Sequence, residues 1–494
     1  MMQSERVIEN NCSMLFNSIE FAIFLPIVFL LYWFVFNRNL RLQNAFVLCA
    51  SYVFYGWWNW RFLILIAFTS LCSWASGLLI EKFRLEHRKA KFVSIANIVV
   101  NLLILGVFKY YNFFVQSFAD VFLGGNADGL LLKVILPVGI SFYTFQALSY
   151  SIDVYKQKIE PTKDIIAFFA FISFFPQLVA GPIERATNLL PQFQKSRMFD
   201  YATAVDGCRQ ILWGVFKKVV VADNCAVIVN QIFSDYSDKP GSVLMVGALF
   251  FTFQIYGDFS GYSDIAIGTA KLFGVKLMRN FKVPYFSRDI AEFWRRWHIS
   301  LTTWFRDYVY IPLGGSRCSK AKIIRNTFVI FLVSGFWHGA NWTFIVWGAY
   351  HALLFLPLIL LGKNRKYTDT VAEGRVFPSL KEFFQMLLTF LLVVIGWVIF
   401  RAETIGDAWQ YISSMFCLEL WKVSYRFFLY PLHGEAWFVV IMLVVEWLQR
   451  GKEHGLDVHT IKYGGVRWVI YTFFIVMILA FRSIDETTFI YFQF

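Results

Sequence analysis

The stretch Phe21-Ala-Ile-Phe-Leu-Pro-Ile-Val-Phe-Leu-Leu-Tyr-Trp-Phe-Val-Phe36 contains no charged side chain. No small-residue cleavage site follows it, so we interpret it as a retained membrane anchor and not as a signal peptide. Similar apolar runs recur along most of the chain. Many approach the roughly 20 residues that a helix needs to cross about 30 Å of hydrocarbon. Because a helix satisfies its own backbone hydrogen bonds in lipid, the sequence predicts an all-α polytopic membrane protein.

The composition supports this fold class. Of the 494 residues, 58% are hydrophobic and only 16% are charged, with a mean hydropathy of +0.54, which excludes an ordinary soluble protein. The net charge of +13 first reflects the positive-inside rule, so nucleic acid is a poor candidate partner. The 7 cysteines are scattered without a C-x-x-C pair, so we expect neither a disulfide framework nor a zinc site, and no metal.

We expect roughly ten to thirteen membrane helices, some of them re-entrant or lying in the interface. A polar N-terminal extension, 1–13, precedes Met14, and we expect one membrane-embedded domain over 14–494, without internal repeats. The candidate spans are 15–36, 42–58, 61–80, 93–114, 131–152, 165–181, 207–233, 242–273, 324–337, 343–361, 379–400, 435–448 and 467–482.

Orientation follows from three cationic loops, at 38–41, 82–91 and 156–163. If the spans alternate, all three loops face one side of the membrane, and the positive-inside rule makes that side cytoplasmic. The N-terminus then faces outside. We expect a bacterial cytoplasmic (inner) membrane protein in contact with membrane lipids.

His338 is the first candidate for chemistry, because it lies in the otherwise apolar stretch 331–342. Ionisable groups at membrane depth are costly, so such a residue usually serves a pathway, a partner or a reaction. Small neighbours allow close approach of a helix or a thin substrate, Gly339 can end the helix, and Asn341 adds a hydrogen-bonding group. A neutral imidazole suits proton removal from a hydroxyl. The alternative is a core histidine locked to another helix.

His298 is the second candidate. It lies in residues 271–325, which carry twelve Lys and Arg but only three acids, and we interpret them as short amphipathic helices and turns with Trp294, Trp297 and Trp304 directed inward. On a helix, His298 would share the face of Trp294, with Arg295 flanking that face and Arg296 pointing away. The alternative is an interfacial histidine bonded to a carbonyl or a headgroup.

Several weaker candidates suggest a polar cavity and substrate or donor binding. Asp258 and Asp264 lie in an apolar run with glycines, which we interpret as an interrupted helix, and the cationic segment downstream is their expected ion-pair source. An ion pair and a catalytic role remain open for both. The other members of this group are Tyr256, Gln146, Tyr143, Glu184 and Arg185. We expect His351 to be structural and the remaining histidines, His87, His433, His454 and His459, to be solvated.

The motifs at these positions resemble those of the membrane-bound O-acyltransferase family, in the branch of the alginate O-acetylation membrane subunit. The resemblance covers about 14–400 and is weaker beyond. It rests on Phe293-Trp-Arg-Arg-Trp-His298, Trp304-Phe-Arg-Asp-Tyr-Val-Tyr-Ile-Pro-Leu-Gly-Gly315, Phe336-Trp-His338-Gly, Pro137-Val-Gly-Ile-Ser-Phe-Tyr-Thr-Phe-Gln146, Phe175-Pro-Gln-Leu-Val-Ala-Gly-Pro-Ile183 and Gly257-Asp-Phe-Ser-Gly-Tyr-Ser-Asp264.

The resemblance implies a helical core around a tunnel, with His298 and His338 as a histidine pair near its constriction and His338 as the principal catalytic residue. It implies acetyl-CoA as a cytoplasmic thioester donor, with no covalently bound cofactor, and O-acetylation of an exported polysaccharide, directly or through a periplasmic acetyltransferase partner. Cations in 271–325 would hold the CoA phosphates. Arg295, Arg296, Asn341, Asp258, Gln146 and Tyr256 are the candidate donor-binding or substrate-binding residues.

Other functions remain open. Peptidoglycan O-acetylation and D-alanyl transfer to teichoic acid from an acyl carrier protein use the same family core. A non-enzymatic alternative is a transporter of an acyl carrier or glycolipid, although no inverted repeat supports it. A scaffold that only recruits acetyltransferases is another. The sequence contains no G-x-S-x-G elbow, Walker motif, H-E-x-x-H or dinucleotide fingerprint. It therefore lacks the motifs on which nucleotide-driven pumps and metalloproteases usually depend.

Overall fold

The computed structural model describes residues 14–127, 129–179, 181–417, 434–483 and 489–490. The predicted N-terminal extension and His433 lie outside these residues. The described residues are predominantly helical and include no β-strand, which confirms the all-α prediction.

Twenty α-helices occur among the described residues. They are α1 (Ile19–Leu30), α2 (Leu40–Gly56), α3 (Arg61–Lys82), α4 (His87–Leu105), α5 (Tyr111–Phe122), α6 (Ile140–Tyr155), α7 (Ile165–Ser173), α8 (Phe175–Leu178), α9 (Ala186–Phe193), α10 (Tyr201–Val215), α11 (Asp223–Ser234), α12 (Gly241–Leu272), α13 (Ile290–Arg296), α14 (Ile299–Phe305), α15 (Lys320–His338), α16 (Trp342–Leu360), α17 (Leu380–Arg401), α18 (Ile405–Met415), α19 (Glu435–Leu448) and α20 (Gly464–Phe481). Shorter helical turns are the π-helical Leu31–Val35, Gly106–Tyr110, Phe216–Ala222 and Arg306–Tyr310 and the 3-10 turns Tyr236–Asp238 and Pro284–Phe286.

Six helices in the described part of the chain are long and apolar enough to cross a membrane. They are α3, the continuous helix His87–Phe122, α12, α16, α17 and α20, and the shorter apolar helix Ile19–Val35 covers the first predicted span. The protein is therefore a multi-pass membrane protein. Other predicted spans, such as 165–181, contain helices of fewer residues.

The chain divides into two compact units. The first comprises Met1–Gly207 with Ala266–Leu277, and the second comprises Cys208–Ile265 with Met278–Phe494, in each case within the described residues. Helices α10 and α12 therefore contribute residues to both. The single domain predicted over 14–494 stays a prediction.

In the first unit, a buried arginine joins segments that are far apart in the chain. Arg197 donates hydrogen bonds to the side-chain oxygens of Gln43 and Asn44 on α2. Its guanidinium lies 5.6 Å from the centre of the Tyr32 ring, whose hydroxyl donates to the carbonyl of Phe273. The Tyr32 bond satisfies a carbonyl group at the end of α12, where carbonyls lack helical partners.

The second unit is built on an apolar core between α11, α12, α17 and α18. Its buried members are Ile228, Ile232, Val243, Leu244, Ala248, Val394, Val398, Tyr411 and Met415. Capping boxes begin two of these helices, since Ser379 and Glu382 cap α17 while Thr404 and Asp407 cap α18.

The interrupted helix predicted around Asp258 is wrong, because α12 continues unbroken from Gly241 to Leu272. Its glycines serve close packing instead. A Cβ at Gly261 would lie 2.8 Å from the carbonyl oxygen of Gly214, and one at Gly214 would lie 2.6 Å from that of Gly261. The two backbones approach so closely that no larger side chain fits.

Two adjacent buried lysines in the π-helical turn Phe216–Ala222 neutralise the acids of α12. Lys218 lies 2.8 Å from Asp258 and 2.6 Å from Asp223, and Lys217 lies 2.6 Å from Asp264. The prediction that the downstream cationic segment supplies these partners is wrong. The opposite charges come from upstream, where the glycine contacts bring the π-helical turn against α12.

Helices α15 and α16 form the tightest pair near the predicted site. A Cβ at Gly335 would lie 2.2 Å from the carbonyl oxygen of Phe344, and one at Gly348 would lie 2.4 Å from that of Phe331. Because α15 ends at His338, this contact also determines where His338 lies relative to α16.

We expect Gly348→Ala to destabilise the protein, because the added methyl group must separate α15 from α16. Overpacking of this kind costs about 1–3 kcal/mol. The measurement is thermal unfolding of the purified protein in detergent. The matched control is Gly106→Ala, where nothing lies within 4 Å of an added Cβ and the better helix propensity of alanine should preserve or raise stability. Equal melting temperatures for Gly348→Ala and the parent protein would contradict the tight contact.

Candidate active site

His298 lies at a sharp break between two short helices. Helix α13 ends at Arg296, Trp297 is extended, and His298 precedes α14 with left-handed backbone angles, φ 43° and ψ 54°. Such a conformation is costly for a residue other than glycine and persists only where its surroundings impose it. The prediction that His298 shares a helical face with Trp294 is therefore wrong, although Trp294, Trp297 and Trp304 are all buried as predicted.

His338 is the last residue of α15, and extended Gly339 ends that helix as predicted. The imidazole is buried, with 4% of the residue exposed. Its ring meets those of Trp347 and Phe400 edge to face, at centroid distances of 5.2 and 5.4 Å. Aromatic rings therefore form much of the wall around it.

The structure brings the two predicted histidines together. Their ring centroids lie 6.5 Å apart, and the ring of Trp337 contacts both, at 5.9 Å from His298 and 5.0 Å from His338. The ring of Phe259 packs against His298 from α12, at 4.7 Å. The pair thus lies in a largely apolar enclosure within the second unit.

Burial determines the charge of His298. With 1% of the residue exposed, the loss of hydration disfavours the imidazolium and lowers the pKa of His298 to about 3. The ring is therefore neutral at physiological pH. Its Nδ1 lies 3.0 Å from Oδ1 of Asn280.

His351 lies in the same aromatic cluster, with its ring 4.9 Å from that of Trp347 and 5.0 Å from that of Trp294. Gly396 makes room for it, because a Cβ there would lie 2.9 Å from Nε2 of His351. These contacts fit the structural role predicted for His351.

A small polar cavity lies one layer of rings away from His298, within the second unit. Tyr256 and Phe281 belong to its lining, and the ring of Phe281 lies 6.4 Å from that of His298. Lys217 and Arg279 also line it, and Arg279 donates to the carbonyls of Phe281 and Lys452. The acids and other polar groups of the lining are Asp264, Glu446, Gln449, Glu453 and His454.

Arg295 and Arg296 hold a loop of the second unit. Arg295 donates to the carbonyls of Asn364 and Tyr367, and Arg296 binds Glu292 and the carbonyl of Asp369. Arg288 and Arg450 bind the same loop, at Asp369, Val371 and Ala372. These guanidinium groups thus bind the loop at several of its carbonyls, and the predicted role of Arg295 and Arg296 in donor binding stays a prediction.

The other predicted residues of the second unit have internal partners. The amide oxygen of Asn341 caps α16 by accepting from the backbone N–H of Thr343 at 3.0 Å, and its nitrogen donates to the carbonyl of Glu403. The Tyr256 hydroxyl donates to Glu446 at 2.7 Å. Asp258 also accepts from the backbone N–H of Ile490.

Gln146, Tyr143, Glu184 and Arg185 all belong to the first unit. Gln146 and Tyr143 lie on α6, where both are buried. Glu184 is buried as well and accepts a hydrogen bond from Asn188 at 2.6 Å. The predicted substrate contact of Gln146 and the polar cavity predicted for all four stay predictions.

Sequence reasoning missed three groups of the site and of the cavity beside it: Asn280, Lys217 and His454. The adjacent cations Lys217 and Lys218 stand in an apolar run, and that pattern could have identified them. The prediction that His454 is solvated is wrong, since this residue is buried. It lines the cavity together with Glu453. Asn280 carries no local signal, since its role depends on a contact with His298.

A sequence model of the membrane-bound O-acyltransferase family matches residues 52–395, which include both histidines. Among curated proteins, the chain is 43% identical over 413 residues to "Probable alginate O-acetylase AlgI" of Pseudomonas aeruginosa, covering 83% of this chain and 76% of that protein. It is 34% identical to the peptidoglycan O-acetyltransferase of Helicobacter pylori, covering 81% and 80%. It is 30% identical to the teichoic acid D-alanyltransferase of Bacillus subtilis, covering 54% and 69%.

We expect Asn341→Ala to lower the stability of the protein by about 1 kcal/mol, because α16 loses its N-terminal cap. Asn341→Ser removes the same bond to Glu403 but keeps a capping oxygen, so it should be the more stable of the two. Thermal unfolding of both variants measures the difference. If Asn341→Ser keeps its stability but loses transfer activity, donor binding is favoured over a purely structural cap.

Proposed function

This chain belongs to the membrane-bound O-acyltransferase family and is an acyltransferase, and we propose that it transfers acetyl groups from a cytoplasmic thioester, acetyl-CoA, across the membrane. The acceptor is a hydroxyl of an exported or cell-surface polysaccharide of the alginate type, reached directly or through a periplasmic acetyltransferase partner. The observation that carries the proposal is the buried pair of His298 and His338, with centroids 6.5 Å apart.

His338 acts as the general base in this proposal. It accepts the proton of the acceptor hydroxyl while the hydroxyl oxygen attacks the thioester carbonyl. The tetrahedral intermediate collapses as its C–S bond breaks, and the proton passes from His338 to the thiolate sulfur. The products are an O-acetyl ester and a free thiol, so the reaction needs no other reactant and His338 ends neutral.

The enclosure of the pair suits this chemistry. Trp347 and Phe400 surround His338, and Phe259 covers His298, so apolar surface excludes water from the reacting atoms. Water would otherwise hydrolyse the thioester, and exclusion also strengthens the hydrogen bonds made during the reaction. His298 positions the acceptor or the donor beside His338.

The polar cavity behind Phe281 does not supply a phosphate site for the donor. Lys217 and Arg279 line it, but Asp264, Glu446 and Glu453 in the same lining balance their charge. Lys217 is already neutralised by Asp264, so we assign phosphate binding to cations of 271–325 nearer the membrane surface. In this arrangement those cations face the cytoplasm of a bacterial inner membrane, and the N-terminus faces outside.

The relatives favour an alginate-like acceptor over two alternatives. Identity is 43% to a protein named for alginate O-acetylation, against 34% and 30% to those named for peptidoglycan O-acetylation and teichoic acid D-alanylation. D-alanyl transfer from a carrier protein is the runner-up. Family membership favours all three enzymes over a transporter or a scaffold.

We expect His338→Ala to reduce acetyl transfer by at least about 10²-fold, because the reaction loses its base. The O-acetyl content of surface polysaccharide in cells, together with membrane yield and thermal unfolding of the variant, measures the effect. The control is His459→Gln, which changes an exposed histidine. Retained acetylation in a folded His338→Ala protein would eliminate the assignment.

We also expect the purified protein to release CoA thiol from acetyl-CoA when an alginate oligosaccharide is present. The reason is that a soluble thioester needs no carrier protein to reach the site. Parallel reactions contain an acetylated or D-alanylated carrier protein, and peptidoglycan or teichoic acid fragments as acceptors. Turnover with only the D-alanylated carrier and teichoic acid would instead support D-alanyl transfer.

A further inference from the structure

Asn280 holds both the backbone and the ring at the break that contains His298. It is fully buried, and its backbone carbonyl accepts from the N–H of Ile299 at 2.8 Å. Its side-chain oxygen lies 3.0 Å from Nδ1 of His298. One residue therefore supports the left-handed conformation of His298 and sets the direction of its imidazole.

The hydrogen bonds around Asn280 identify which amide atom faces the histidine. The atom beside Nδ1 is also 3.3 Å from the backbone nitrogen of Ser300 and 2.9 Å from its hydroxyl. A backbone N–H only donates, so the atom that faces it must be the amide oxygen. The amide nitrogen donates to the hydroxyl of Ser263 at 3.1 Å. Reversing the amide would place N–H groups against the Ser300 N–H.

This orientation also determines the histidine tautomer. Because the amide oxygen of Asn280 only accepts, Nδ1 of His298 must carry the proton, and Nε2 carries the lone pair. The Ser300 hydroxyl does not alter this, since it lies 2.9 Å from the amide oxygen and 3.5 Å from Nδ1. A neutral ring in this tautomer accepts a hydrogen bond at Nε2 and cannot donate one there.

We propose that Asn280 is a positioning residue that fixes His298 as the Nδ1–H tautomer, so that Nε2 accepts a hydrogen bond from an N–H or O–H group of the bound substrate. The inference rests on the proposed function and sharpens it. In this tautomer Nε2 of His298 cannot donate a hydrogen bond to the oxyanion of the intermediate, and proton removal stays assigned to His338 as proposed above.

The charged groups that pack near His298 have partners of their own, whereas the side-chain oxygen of Asn280 lies directly against Nδ1 of His298. His338 is the titratable ring next to it, at 6.5 Å. On α12, Asp258 is paired with Lys218 and Asp264 with Lys217. On the segment that carries Asn280, Arg279 donates to backbone carbonyls, and Lys282 has a lowered pKa from burial and nearby arginines.

Nitrogen NMR of the full-length protein in nanodiscs tests the tautomer directly. The protein is labelled with ¹⁵N-histidine, and the His298 signals are identified by their loss in His298→Gln. We expect a protonated Nδ1 and an unprotonated Nε2 near neutral pH. The opposite tautomer would overturn the proposal. This readout needs no turnover, so a parent protein with the expected tautomer but no acetyl transfer would contradict only the proposed function.

Two variants of Asn280 separate positioning from a purely structural role. Asn280→Leu removes the acceptor, and kcat should fall by about 10- to 100-fold, the loss seen when a partner that orients a metal-binding histidine is removed. Asn280→Asp keeps an acceptor for Nδ1, so it should recover most of the activity. Its carboxylate favours the imidazolium and raises the pKa of His298, so the acid limb of the pH–rate profile should move to higher pH.

The matched control is Asn326→Asp, which makes the same change at another fully buried asparagine. The side chain of Asn326 donates to the carbonyls of Leu313 and Gly315 and accepts from Arg325. We expect its acid limb to coincide with that of the parent protein. An unmoved acid limb in folded Asn280→Asp, or equal activities of Asn280→Leu and Asn280→Asp, would contradict the proposal.

Discussion

The structure of the second unit depends on one constraint, which is that a charge buried at membrane depth must have an opposite charge beside it. Lys217 and Lys218 meet this requirement with Asp264, Asp258 and Asp223. The pairs form only because glycines let the π-helical turn approach α12. Removing one member of a pair would leave the charge of the other uncompensated in the interior. The register of α12 against this turn is therefore tightly set, and α12 carries Phe259 and Ser263 to the histidine site.

The histidine site is likewise held by a small number of paired polar groups. His298 is bound by Asn280, which is bound in turn by Ser300 and Ser263, so a short polar network supports its ring. Aromatic rings fill the remaining space around both histidines. A chain with few charges can thus keep the His298 imidazole neutral and oriented in an apolar interior. Such an enclosure protects a thioester while it leaves a base within reach of a hydroxyl.

Much of the architecture could be predicted from residues alone. Long apolar runs predicted helices such as α3 and α17, and Gly339 correctly indicated the end of α15. The errors occur where contacts with other segments of the chain decide the local structure. Glycines near Asp258 suggested a broken helix, but they serve contacts with a neighbouring segment. His298 was placed on a helical face, although the bonds of Asn280 hold it in a left-handed turn.

The sequence by itself determined the fold class, the family and the two histidines, because apolar length and ionisable groups in apolar runs are local properties. Tertiary structure alone decided the partners of these residues. Only the folded chain shows that Lys218 neutralises Asp258, that Asn341 donates to the carbonyl of Glu403, and that the amide oxygen of Asn280 lies 3.0 Å from Nδ1 of His298. The physical reason is that pairing depends on distances of about 3 Å between residues far apart in the chain, and no local pattern encodes those distances.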